Sequence, residues 1–266
     1  MSKAFRIDLA GILRSKNIKL PGFVVRLLEK IIHQDWLNEF ARRGYEGVEF
    51  AEELLKYCNV TISTEGLDRI PEEGRYTFAC NHPLGGLDAM AIIAALGRAR
   101  YGSNLRIQVN DFLMAIKGLD EMFVPVNKVG GQSRNLSADT DAIYSSDNQV
   151  VIFPAGQVSR KYDGVIQDRE WGKSFIRKSV QYQRDVIPMH FIGENSRRFY
   201  TVDRIARFLG IKFPIAMALL PDEMYRTSGK HFRLVLGEPI PWQTFDSSRK
   251  PAEWAAEVRK QVYQLQ

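Results

Sequence analysis

The stretch "NHPLGGLD", Asn81 to Asp88, sets an imidazole six residues ahead of a carboxylate with two glycines between them. Neutral imidazole accepts a proton near neutral pH, and a carboxylate on its second nitrogen fixes the tautomer and stabilises the resulting imidazolium. Gly85 and Gly86 allow a sharp turn, and a helix is expected to start near Leu87. Asp88 then falls in its first turn, where the helix dipole favours an anion. The same residues also describe a plain turn with a helix-start aspartate, so the pair needs a second feature beside it. "VVIFPAGQVSR", Val150 to Arg160, supplies one: an apolar run ends at Pro154 and Gly156, then come Gln157, Ser159 and Arg160. Backbone N–H groups near Gly156 suit an anion or a developing oxyanion. Cys80 offers a rival chemistry, a covalent nucleophile with His82 two residues on, against its reading as a small buried strand residue.

These residues need elements to hold them. From Leu20 to Tyr57 apolar residues recur at three- and four-residue spacing, which predicts two or three amphipathic helices. After Cys58 the period changes. "NVTISTEG", "YTFACNH", "LRIQVN", "MFVPVNK", "QVVIFPAG" and "DVIPMHFIG" read as strands. "GLDAMAIIAALGRA", "DFLMAIKGL", "NLSADTDAIYS" and "GKSFIRKSVQYQ" between them read as helices. "KHFRLVLGEPIP" predicts a further strand and "PAEWAAEVRKQVYQLQ" a closing helix. Alternation at this spacing predicts an α/β fold with a largely parallel sheet flanked by helices. We therefore expect an N-terminal amphipathic helical extension over residues 1–57 and one domain over 58–266. Functional groups in such sheets gather at the carboxyl ends of strands, where both polar stretches fall.

The chain has 266 residues and a formal net charge of +6, which favours anionic partners. Its basic residues are interleaved with apolar ones, as on a membrane-surface helix and unlike a nucleic-acid arm. In the first helices Arg26 and Lys30 would lie near headgroups, with Phe23 and Trp36 at the boundary. The alternative is a helical cap on the domain. "NSRRFYTVDRIARFLG" has a similar basic-aromatic mixture. No run approaches the ~20 apolar residues of a spanning helix, and the N-terminus does not read as a signal peptide. A peripheral position on the cytoplasmic face of a membrane is the expectation. Cys58 and Cys80 read as reduced thiols. His33, His190 and His231, without nearby acid partners in sequence, read as structural or surface residues.

Taken together, these motifs resemble those of the lysophospholipid acyltransferase superfamily, the 1-acylglycerol-3-phosphate acyltransferase-like enzymes. "NHPLGGLD" is similar to the family's Asn-His…Asp motif with one extra residue, and "MFVPVNK" to its second motif, with Asn127 and Lys128 at the acid and arginine places. "FPAGQVSR" resembles its Phe-Pro-Glu-Gly motif, and "DVIPMHF" its proline-containing strand, through Pro188. The resemblance implies the glycerol-3-phosphate acyltransferase fold and acyl transfer from an acyl carrier protein or coenzyme A thioester, with no other cofactor and no metal. It implies His82 as general base and Asp88 as its partner. It places Asn81, Lys128, Gly156, Ser159 and Arg160 around the substrates, with Lys161 a further candidate for an anionic headgroup or the phosphopantetheine phosphate.

The departures carry information. Ala155 stands in place of the family glutamate, Val158 in place of an arginine and Lys128 in place of another. Losing bidentate arginines argues against a phosphate-bearing acceptor. The pattern resembles the branch that acylates lyso-aminolipids such as ornithine and glycine lipids. The other readings are a 1-acylglycerol-3-phosphate acyltransferase, a thioesterase or lipid hydrolase using the same base, and a basic nucleic-acid-binding module. No recognition helix or aromatic platform supports the last.

Overall fold

The computed structural model describes residues 4–15, 17–127, 140–210 and 215–266. Its centre is one seven-stranded sheet: β1 (Thr61–Glu65), β2 (Tyr76–Cys80), β3 (Leu105–Asn110), β4 (Phe123–Asn127), β5 (Gln149–Ile152), β8 (Asp185–Ile192) and β9 (His231–Leu236). The spatial order is β1-β9-β8-β2-β5-β3-β4. Five of the six neighbouring pairs are parallel; β8 and β9 are antiparallel. β1 has β9 as its sole strand neighbour among the described residues, and the two run against the other five. A small hairpin, β6 (Arg160–Tyr162) with β7 (Val165–Gln167), stands apart from the sheet.

β2 lies between β8 and β5, parallel to both, and all five of its residues are buried. That explains its largely apolar reading, interrupted by Thr77, because a strand covered on both faces has no polar side to alternate. Phe78 and Cys80 face one core, with Ile107, Val151, Met189 and the helices α4 (Gly47–Tyr57) and α5 (Gly86–Leu96). Ala79 faces the other, with Val150, Ile152, Val186, α6 (Ser174–Tyr182) and α9 (Pro251–Gln264). The remaining helices are α1 (Leu9–Ser15), α2 (Gly22–Ile31), α3 (Gln34–Ala41), α7 (Arg197–Phe208) and α8 (Leu220–Tyr225), beside a short turn at Ile215–Ala218.

The helices before β1 divide by burial. Phe40 of α3 and Phe50, Ala51 and Leu54 of α4 belong to the same apolar cluster as the strands. α2 buries no residue and leaves Phe23 and Leu27 exposed. Trp36, expected at a membrane boundary, instead stacks on Tyr57 at 4.9 Å and meets Tyr225 edge-on, packed against the core. "DFLMAIKGL" is not a helix either. The short connection from β3 to its neighbour β4 holds two 3₁₀ turns, Asp111–Ala115 and Lys117–Leu119, separated by extended Ile116. "NLSADTDAIYS" lies partly outside the described residues.

Candidate active site

β2 and β5 are neighbours and parallel, so their carboxyl ends open side by side. His82 follows β2 and Phe153 follows β5, and their rings stack with centroids 4.0 Å apart. The chain then turns through Gly85, whose φ of 78° falls in the left-handed region. A side chain there would strain the backbone, and its Cβ would come within 2.9 Å of Leu220. This turn absorbs the extra residue between His82 and Asp88. His82 Nδ1 lies 3.1 Å from Asp88 Oδ1, while Asp88 Oδ2 accepts the Leu84 N–H at 2.9 Å. Asp88, in the first turn of α5, is fully buried. One carboxylate thus closes the turn, meets the helix dipole and holds the imidazole.

With Nδ1 committed to Asp88, Nε2 has no hydrogen-bond partner among the described residues, and the ring keeps 18% of its surface open. Burial opposes protonation of His82. The charge and hydrogen bond of Asp88, with the charge of Asp168, outweigh that burial and the opposing charge of Arg160, so the pKa lies above the ordinary histidine value. A base needs neutral imidazole, so activity should fall as pH drops through this raised pKa. Asp88→Asn removes the nearer charge. Its acid limb in kcat/KM should move to lower pH, and its plateau should drop roughly 10²–10⁴-fold as the tautomer is lost. A pH–rate profile checks both, and an acid limb that stays in place contradicts the pairing.

Of the other residues expected around the substrates, Asn81, Gly156, Ser159 and Arg160 bond within the protein itself. The Asn81 amide donates to the Phe191 carbonyl at 2.9 Å and accepts the Phe191 N–H at 2.7 Å, clamping the end of β2 to β8. The backbone N–H groups around Gly156 are expected to face an oxyanion; that of Gly156 itself donates to the Phe153 carbonyl at 2.9 Å, and its φ of 66° marks a left-handed turn. Ser159 is buried; its hydroxyl donates to Asp168 Oδ1 at 2.6 Å and its N–H to the His82 carbonyl at 2.8 Å. Arg160, also buried, pairs with Asp203 at 2.8 Å, donates to the Val158 and Ser159 carbonyls and lies over the Phe199 ring. Its guanidinium anchors the hairpin to α7 and is not free to hold a headgroup. Lys161 is exposed and Lys128 lies outside the described residues.

Cys80 is fully buried, its thiol 3.6 Å from Asn81 Oδ1, and burial pushes its pKa well above the ordinary range. A nucleophile needs thiolate and access, and Cys80 has neither. His190 bonds the Leu265 carbonyl and His231 the Thr61 hydroxyl, as structural and surface residues would. His33 is structural through a partner distant in sequence: its Nε2 lies 2.7 Å from the buried Asp222, which also pairs with Arg198 and Arg226.

Sequence reasoning missed Asp168. Its Oδ1 accepts the His82 N–H at 3.2 Å as well as the Ser159 hydroxyl, and its Oδ2 accepts the Trp171 indole N–H at 2.9 Å. A signal for it exists in "SRKYDGVIQD". Asp163 and Gly164 both adopt positive φ, at 47° and 88°, as a two-residue Asp-Gly hairpin requires. Arg160 pairs with Gln167, so the next pair outward is Ser159 with Asp168.

The sequence model of the family described as Acyltransferase matches residues 8–266. The chain belongs to this acyltransferase family. Two relatives are both named lyso-glycine lipid O-acyltransferase. The Bacteroides thetaiotaomicron protein is 45% identical over 267 aligned positions, covering 98% of each chain. The Phocaeicola vulgatus protein is also 45% identical, over 98% of this chain and 95% of its own. The crystal structure of the 1-acyl-sn-glycerophosphate acyltransferase PlsC from Thermotoga maritima aligns with a TM-score of 0.51 at 15% identity, over 96% of this chain and 87% of that one. That likeness establishes the shared fold, a mixed, largely parallel sheet flanked by helices. As a member of the acyltransferase family, the chain is an acyl-transferring enzyme.

Proposed function

We propose that this acyltransferase O-acylates a lyso-aminolipid, a lyso-glycine lipid in the first instance, using an acyl carrier protein or coenzyme A thioester as donor. The observation that carries the reading is full-length similarity, at 45% identity, to two enzymes named for that acceptor. The site supports it. The His82–Asp88 pair is assembled, whereas Ala155 replaces the acid and Val158 the arginine of the motif associated with phosphate-bearing acceptors, and Arg160 is consumed by Asp203.

In this mechanism His82 Nε2 takes the proton of the acceptor hydroxyl as its oxygen attacks the thioester carbonyl. Asp88 stabilises the imidazolium formed. The tetrahedral intermediate collapses with rupture of the C–S bond, and the imidazolium returns the proton to the departing thiolate. The products are an ester and a free thiol. Among the described residues no helix is long and apolar enough to cross a membrane. Exposed Phe23 and Leu27 on α2, with Phe208 at 89% and Leu209 at 63% exposure at the end of α7, suit contact with the lipid surface that holds such an acceptor. We place the enzyme there as a peripheral protein on the cytoplasmic face.

Lipid mass spectrometry of cells with and without the gene tests the acceptor. The expected change is loss of a diacylated glycine lipid with accumulation of its lyso form. A changed phosphatidate pool with intact glycine lipid would replace the acceptor. Release of free fatty acid from purified protein and thioester, with no new lipid, would make the enzyme a hydrolase.

A further inference from the structure

We propose that Asp168 is a positioning residue for the reaction, a second carboxylate that fixes the backbone of His82 while Asp88 holds its ring. The inference rests on His82 acting as base and adds a residue to that site.

His82 is clamped from one direction at both backbone atoms. Its N–H donates to Asp168 and its carbonyl accepts from Ser159, while the Ser159 hydroxyl closes the triangle onto the same Asp168 oxygen. The hairpin register delivers Ser159 and Asp168 as a facing pair, so the two hold His82 as a unit. Three donors converge on the Asp168 carboxylate, those of His82, Ser159 and Trp171, a set suited to an ionised acceptor. Burial raises the Asp168 pKa, while the hydrogen bonds and the charge of His82 oppose that rise.

Asp168 is itself held from the far side of the sheet. Its N–H donates to the Tyr263 hydroxyl at 2.8 Å, and its carbonyl accepts from Arg259 at 2.6 Å, both residues on α9. A path of hydrogen bonds therefore runs from the closing helix through Asp168 to the catalytic turn. Asp168 acts on His82 both by geometry and by charge. A backbone displaced even by a fraction of an ångström carries the imidazole out of line with its substrate.

Asp168→Asn tests this, with Asp168→Glu as the charge-conserving partner. The imidazole of His82 is followed by NMR titration, and kcat and KM for the thioester are measured in parallel. In Asp168→Asn the His82 ring should titrate at lower pH than in the parent. kcat should fall about tenfold or more, with a smaller change in KM. Asp168→Glu should restore the titration towards the parent value. The asparagine amide sets a donor against either Trp171 or Ser159, so Asp168→Asn combined with Trp171→Phe provides a variant free of the Trp171 conflict, with the same two expectations. A ring titration unmoved in either folded variant, or an unchanged kcat, overturns the proposal. A fully active His82→Ala protein would instead defeat the base assignment, a separate failure because the titration is read without turnover.

Discussion

His82→Ala is expected to fold and to lose acyl transfer by about 10²–10⁴-fold, the range for removing a positioned general base. The ring touches Phe153 at one face and Asp88 at Nδ1, but its backbone anchors to Asp168 and Ser159 persist without the side chain. Asp88 keeps the Leu84 N–H, so the turn into α5 stays closed. The loss should therefore appear in kcat while circular dichroism and melting temperature stay close to the parent. Cys80→Ala is the matched control, since a fully buried thiol beside Asn81 has no part in the proton-transfer route. Steady-state assays of the pair decide between base and covalent routes. An active His82→Ala beside a dead, folded Cys80→Ala would reverse the assignment.

The largest expected loss of stability belongs to Arg184, at the opposite end of the same strands. It is fully buried and makes no salt bridge among the described residues, though the charge of Asp147 reaches it. Its guanidinium donates instead to five carbonyls, those of Tyr144 at 2.7 Å, Asn148 at 2.8 Å, Tyr76 at 3.3 Å, Ile143 at 3.4 Å and Ser146. Burial lowers its pKa to about 10, so it remains charged at neutral pH. Tyr76 opens β2 and Arg184 immediately precedes β8, so this one cation joins the start of the central strand to the loop before β5. Arg184→Met fills the space but removes the guanidinium donors; the Ile143 carbonyl keeps the Ser146 N–H and hydroxyl, and each acceptor left buried and unsatisfied costs about 1–3 kcal/mol. A loss of at least ~3 kcal/mol is expected, read from the urea midpoint and a lowered Tm. A loss under ~1 kcal/mol would show that water or local relaxation replaces the guanidinium.

Some of this was written plainly in the chain. β2 and β5 announced themselves as apolar runs because both faces of each are covered, and their ends carried His82 and Gly156. The His82–Asp88 pairing is local, closed by a turn of a few residues that glycine makes possible. Strand direction was not legible: "KHFRLVLGEPIP" reads the same in either sense, and its antiparallel pairing with β8 depends on the path of the chain between them. The environment of Arg160 was not legible for a similar reason. Its sequence neighbours suggested an anion site, whereas its partner Asp203 arrives from a helix distant in the chain. Asp168 escaped notice because its meaning depends on a hairpin register rather than on spacing from His82.

The position of β1 bears on how the chain acquires this form during synthesis. Its one strand neighbour among the described residues, β9, leaves the ribosome only after nearly the whole sheet has been translated. Until then Thr61–Glu65 has no strand to pair with, and the edge of β8 that β9 will cover is bare. A nascent chain therefore carries an unpaired β1 and a bare β8 edge until β9 arrives, the kind of exposed strand surface that favours mispairing.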